Sequence, residues 1–498
     1  MRPAPLNARL LWTLPVSLAI LLLAGCAGSG GERPITQEQR DYGDSATFPV
    51  PPEIQQNVDF WRHVYGVWSR GEVALHDEEH MGVIYEVARI PGPIQAGYSE
   101  SQKAWLDSRM NYYKSRLRML EEQVRSGQTP SPNDRELLAK FEQDGGVAGV
   151  YGASERIRAQ RGLHERFKRG LEISGRYDPA FREIMRSHGV PEDLAYLPHV
   201  ESSFQTNAKS SVGAGGVWQF MPATGRMYMT VDDIIDERYD PILAADGAAR
   251  YLAKAHQKLG SWPLAITSYN HGKGGMANAK AQHGNDIGRI VKQYKGPAFG
   301  FASRNFYSEF IAAREVASHP ERYFPEGVQF EQPWPHDRLV LRHSMPADHV
   351  AQHYGTSTAR LADLNLHWSG KAREGRAHLP AGSTVWLPAG SMQRVASQPP
   401  PVTVMLARAE PEPRAVVAMK PASASKTVRG QAVARVEKSA PNPATAAAKT
   451  RYHVVKPQET LYRVAVLNGL SVDELRRLNK MRPNDNNIRP GQRLKVGI

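Results

Sequence analysis

The sequence predicts a multidomain protein with a mainly α-helical body, a helical N-terminal extension and small βααβ units at the C-terminal end. Three observations predict this. Apolar residues recur at the spacing of buried helix faces between residues 171 and 320; a strand–helix–helix–strand pattern occurs twice near the C-terminus; and two aperiodic stretches rich in Pro, Gly, Ala or Ser separate these bodies. At 498 residues the chain exceeds a single core, since domains run to ~100–200 residues. An apolar share of 41% and nine Trp suffice for ordinary cores. The divisions fall at 1–25, 26–55, 56–170, 171–320, 337–390, 391–450 and 451–498.

Residues 1–25 combine Arg2 and Arg9 with the apolar run "LLWTLPVSLAILLLAG". That run is shorter than the ~20 apolar residues of a spanning helix and is interrupted by Pro15, so it reads as a cleaved signal. "LAGC", ending at Cys26, resembles the bacterial lipobox. The resemblance implies cleavage before Cys26 and acylation of it; the other reading is a secretory signal with an incidental cysteine. Three acyl chains exceed the two signals that stable anchoring needs. Ala27 stands where an aspartate would resemble the inner-membrane retention signal, which favours a lipid-anchored protein of the cell envelope, at the outer membrane and facing the periplasm. Cys26 is the one cysteine, which leaves no internal disulfide. Residues 26–55 are polar, Gly- and Pro-rich, and read as a tether.

The formal charge of +13 and pI near 9.6 favour acidic partners: nucleic acid, anionic lipid or anionic glycan. No nucleic-acid-binding signature stands out, so nucleic acid is not a predicted partner. "HDEEH", residues 76–80, does not match HExxH and reads as a solvated charged turn. "GYSES", residues 97–101, lacks the last glycine of GxSxG. No metal and no cofactor are predicted.

Within 56–170, Trp105, Met110, Tyr113, Leu117 and Leu120 recur at helical spacing. From residue 171 the signals sharpen. Phe181, Ile184, Met185 and His188 share a helix face that Gly189 ends; Asp240 caps a helix opened by Pro241 and closed by Gly260. Further helices carry Leu264, Ile266 and Tyr269, then Phe306, Phe310, Ile311 and Ala313.

Residues 452–480 align without gaps on the segment starting at Arg338: Val454 on Val340, Gly469 on Gly355, Leu475 on Leu361 and Asn479 on Asn365. After an insertion of five residues, "IRPGQRLKV" answers "LPAGSTVWLP". Each unit reads as strand, two short helices, strand, and resembles the LysM module, a small peptidoglycan and chitin binder. The second copy matches closely. The first is degenerate, because "RHSMPADHV" lacks the usual turn. Residues 391–450 read as a Pro/Ala/Ser-rich linker.

"GVPEDLAYLPHVESSF" predicts a helix entered at Pro191 and ending near Glu201 among Leu194, Leu197, Val200 and Phe204. A carboxyl desolvated there keeps its proton and serves as a general acid. Taken alone, a helix-end glutamate in a salt bridge fits as well. "ESSF", "GAGGVWQFMPATGRMY" and "AITSYNHGKGG", in that order, resemble the three motifs of the soluble-type lytic murein transglycosylases. Val217, Trp218 and Ser268 depart from that family's usual residues. The resemblance implies a lysozyme-like domain of the goose type that cleaves peptidoglycan glycan strands. It also implies site roles: Glu201 as acid and then base, Tyr269 supporting Glu201 or the cationic centre, and Ser202 orienting the glutamate or the N-acetyl group. Gln219 and Asn270 would line the sugar cleft, and Gly216 would let the backbone turn or approach a sugar ring.

Overall fold

The computed structural model describes residues 46–401 and, with gaps, 451–497. The leader, Cys26, most of the tether and residues 402–450 lie outside the described residues. Among the described residues no helix is long and apolar enough to cross a membrane.

The N-terminal part contains α1 (Pro52–Gly66), β1 (Glu72–Asp77), β2 (Ile84–Arg89), α2 (Glu100–Ser126), α3 (Pro132–Gln143) and β3 (Ile157–Arg161). The helical body follows with α4 (His164–Ser174), α5 (Asp178–Ser187), α6 (Leu197–Glu201), α7 (Pro222–Gly225), α8 (Pro241–Leu259) and α9 (Trp262–His271). It closes with α10 (Lys273–His283), α11 (Ile287–Gln293), α12 (Phe301–Ser318) and α13 (Pro320–Tyr323).

Beside the helices α1, α2 and α3, the region 56–170 expected to be helical also holds an antiparallel three-stranded sheet of order β2-β1-β3, with Val73 opposite both Ala88 and Arg161. Its central strand is buried on both faces: Ala74 joins the main core, and Leu75 joins Tyr113, Leu117 and Leu120 of α2. A short strand covered on both sides shows no polar alternation, so periodicity could not separate it from helix. The reading of "HDEEH" as a solvated turn also fails in part. His76 and Asp77 are fully buried. The Asp77 carboxylate accepts from Arg156 Nε at 3.0 Å, from the Tyr85 hydroxyl at 3.2 Å and from the backbone N–H groups of Glu79 and His80. It organises the turn from inside.

One core runs from Phe48 to Phe324, so α1 belongs with the body rather than to a separate domain. Asn57 Nδ2 and Trp61 Nε1 both donate to Asn305 Oδ1, at 3.0 and 3.2 Å, which pins α1 along α12. α8 begins and ends as its punctuation predicts. Asp240 accepts from the N–H groups of Ile242 and Leu243, and Gly260 closes the helix in the left-handed region at φ 71°.

The first βααβ unit comprises β4 (Asp337–Val340), α14 (Ala347–His353), α15 (Thr358–Leu364), α16 (Gly370–Arg373), β5 (Thr384–Leu387) and α17 (Ser391–Arg394). The second has β6 (Arg451–Val454), a helix Val472–Leu478 and β7 (Arg493–Gly497). In both units the two strands pair antiparallel. One aligned asparagine does the same work in each. Asn365 donates to the Leu361 and Trp386 carbonyls and accepts from the Trp386 N–H. Asn479 does so with Leu475 and Lys495. The side chain fastens a helix end to the last strand.

The insertion in the first unit docks it onto the helical body. The Asp236 N–H donates to His367 O, the Ser369 N–H to Ile234 O, and buried Trp386 Nε1 to Asp240 Oδ2 at 2.5 Å. Ile235 lies in the unit's own core. The unit also extends past the expected linker boundary at 391. Ser397 O accepts from the Tyr354 hydroxyl, and Gln398 Nε2 donates to Val340 O, both at 3.0 Å.

Candidate active site

Glu201 is the last residue of α6, which follows a 3₁₀ turn, Glu192–Tyr196, and has Pro198 in its first turn. The chain then reverses sharply. Ser203 and Phe204 take φ of 53° and 58°, and Gln219 takes 48°. Three of the five non-glycine residues with positive φ among the described residues thus fall in two of the predicted motifs. Such backbone costs on the order of 1–3 kcal/mol each and persists only where packing over-determines it. Here Phe204, fully buried, packs against His199 and Phe181 with ring centroids 4.5 and 6.0 Å away.

The middle motif is clamped by the other two through consecutive carbonyls. The Ser202 hydroxyl, buried, donates to Val217 O at 2.8 Å, and the Tyr269 hydroxyl donates to Trp218 O at 2.9 Å. The side chain of Ser202 is therefore turned to the backbone, and its contact fastens the glutamate-bearing turn to the 217–219 segment. Gln219 remains partly exposed, with Nε2 on Gly216 O at 2.8 Å. Gly216 has φ 73°, and a Cβ there would lie 1.7 Å from Arg238 O. The neighbouring backbone by itself requires glycine here. Asn270 is exposed at the end of α9 and accepts from the Ser303 hydroxyl at 2.8 Å.

Tyr269 sits half-buried among Phe220, Tyr251 and Phe306, the last stacked within 7° at 6.5 Å. Its phenol is held well above the ordinary range by burial and then by the charge of Glu201. The Glu201 carboxyl is itself pushed up to about 8, first by burial and then by Glu309. Glu201 is not fully enclosed and keeps some exposure. At neutral pH it is an acid, with no hydrogen-bond or ion-pair partner among the described residues.

Glu309 is the residue that sequence reasoning missed. It lies on α12, partly exposed between buried Ser308 and Phe310, and burial pushes it up to about 8 as well. The one available signal was a glutamate inserted in the apolar stripe of Phe306, Phe310 and Ile311.

Residues 179–291 match the transglycosylase SLT domain family, and residues 453–497 match the LysM domain family. The chain carries an SLT domain and a LysM domain. It is 24% identical over 350 residues to the membrane-bound lytic murein transglycosylase D of Escherichia coli K12, a match covering 69% of each chain. It is 34% identical over 122 residues to a membrane-bound lytic murein transglycosylase F of Alkalilimnicola ehrlichii, covering 23% of this chain and 26% of that one. It is also 34% identical over 110 residues to the peptidoglycan transglycosylase gp16 of Escherichia phage T7, covering 21% of this chain and 8% of that one. Glu201, Gln219, Tyr269 and Asn270 all fall inside the stretch that matches the SLT domain, and Glu309 lies beyond it.

Proposed function

We propose that this chain is a peptidoglycan lytic transglycosylase, cleaving the β-1,4 bond between N-acetylmuramic acid and N-acetylglucosamine without water. The observation that carries the reading is Glu201: a carboxylic acid at a helix tip, unpaired, still protonated at neutral pH, and set in an SLT domain. Glu201 gives its proton to the bridging oxygen, the C–O bond breaks, and an oxocarbenium-like centre is left on the muramic sugar. The resulting carboxylate takes the proton of the muramic C6 hydroxyl, whose oxygen closes on C1. The product is a 1,6-anhydro ring, Glu201 is again an acid, and no water enters. General acid–base catalysis of this kind is worth ~10²–10⁴ in rate.

Tyr269 holds the Trp218 carbonyl and with it the groove wall, and Ser202 does the same one residue earlier. Gln219 and Asn270, both with exposed surface, bind the sugar. The LysM domain holds glycan, and an acylated Cys26 would keep the enzyme at the envelope, at the outer membrane in the reading favoured by Ala27. The linker and tether then set the effective concentration of the groove at the wall.

A second reading, a hydrolytic muramidase on the same fold, draws on Glu309, since ordinary glycosidases use two carboxyls. Mass spectrometry of products from purified sacculi separates them. Anhydro ends, lighter by one water than reducing ends, are the expected result; a digest holding reducing ends alone would overturn the proposal.

A further inference from the structure

α12 meets the last of the predicted motifs at successive turns. Ser303 donates to Asn270 at 2.8 Å, and three residues on, Phe306 stacks on Tyr269. Three further on stands Glu309, an i, i+3 neighbour of Phe306 on the helix surface. α12 also packs on α6, whose tip is Glu201. The phenol of Tyr65, from α1, is buried and held well above the ordinary range, first by burial and then by the charges of Glu309 and Glu201.

The other ionisable groups nearby are spoken for. Arg166, from α4, donates to the Ser202 carbonyl at 3.3 Å. Glu192 and Asp193, in the turn before α6, are engaged by Arg186 and by Arg182 and Arg314. His199 is buried and neutral, pushed down to about 3 by desolvation. Tyr269, from α9, is a neutral phenol on a backbone carbonyl. Among the described residues no hydrogen bond or ion pair reaches the carboxyl of Glu201 or of Glu309.

We propose that Glu309 is a positioning residue for the cleavage reaction, a second carboxyl beside Glu201 in the groove that keeps the proton on Glu201 until the sugar bridge takes it. The inference rests on the reaction proposed above. Two carboxyls in one poorly solvated site cannot both ionise freely, so they lose protons in coupled steps. Wherever Glu309 takes the first charge of the pair, that charge holds the remaining proton on Glu201. The same repulsion makes the spent Glu201 carboxylate a better base for the C6 hydroxyl.

The test is the pH dependence of kcat/KM on soluble glycan strands for wild type, Glu309→Gln and Glu309→Asp. Loss of the like charge in Glu309→Gln moves the alkaline limb to lower pH by roughly half a unit or more, and Glu309→Asp restores the limb. An unmoved limb in a folded Glu309→Gln overturns the proposal. So does loss of activity at every pH, or a change from anhydro to reducing ends, since either would put Glu309 in the chemistry itself. Should the Gln variant not fold, carboxyl ¹³C titration of the wild-type enzyme decides: two coupled steps support the proposal and two independent ones refute it. The mass of the wild-type product tests the reaction separately, so the two ideas fail by different measurements.

Discussion

α12 carries two buried-side glutamates six residues apart, Glu309 and Glu315, and their surroundings differ in what answers the charge. Glu315 is the more deeply buried, at 2% exposed. The Tyr323 hydroxyl donates to it at 2.5 Å, and Arg62, itself paired with Asp59 at 2.7 Å, stands 3.5 Å away. Burial pushes Glu315 up to about 7 and Arg62 opposes the push. Glu309 and its neighbour Glu201 are less covered, have no cation, and are both pushed up to about 8. A partner, more than depth, decides whether a carboxyl serves as a tie between helices or as an acid. The tie joins α1 to α12, the framework on which the groove is built.

The comparison breaks most visibly at Glu201. Glu201→Gln removes the proposed proton donor, and we expect glycan cleavage to fall by ~10²–10⁴ while circular dichroism and the thermal midpoint show a folded protein. Wild-type turnover in that variant would remove the distinction between the two carboxyl sites. Next in size is the structural side. Arg62→Ala leaves Glu315 and Asp59 buried without their cation, a change that costs about 3–5 kcal/mol. The expected result is a markedly lower thermal midpoint, with specific activity per folded molecule close to wild type. A loss of activity with an unchanged midpoint would mean that the Glu315 tie belongs to the site after all.

How much of this was legible follows from the range of each interaction. Local chemistry was: the Asp240 cap, the Gly260 stop and the aligned Asn365 and Asn479 act within a few residues, so the pattern alone locates them. The groups that act across the fold were not. β1 is buried between α2 and the main core, and its strand character is set by neighbours distant in sequence. Ser202 was read as orienting the glutamate or the N-acetyl group, and the partner of its hydroxyl, a carbonyl in the next motif, could not be named from the local pattern. The insertion after Asn365 looked like loop length alone, yet it docks the first βααβ unit on the 234–240 segment. Glu309 belongs to this second class. Nothing local marks it as a partner of Glu201, because α12 and α6 meet only through the tertiary packing of the core.

The smallest effect sharpens the comparison by its sign. Glu201 and Glu309 have an ordinary value of 4.5 and are raised to about 8 in the fold. Below pH 4.5 folded and unfolded chains are both protonated, and the carboxyls do not bias folding. Between 4.5 and 8 the unfolded chain ionises while the folded one holds its protons, so stability falls as pH rises, and above 8 the loss is complete. A one-unit difference is worth about 1.4 kcal/mol, and the partial exposure of both residues reduces their summed effect to on the order of 1–2 kcal/mol. Glutamine cannot ionise. The thermal midpoints of Glu201→Gln and Glu309→Gln should therefore match wild type at pH 4 and exceed it by a few degrees at pH 8. Midpoints that stay parallel from pH 4 to 8 would show that neither carboxyl is held protonated by the fold, and the acid at the helix tip would then have to get its proton from the bound sugar's surroundings instead.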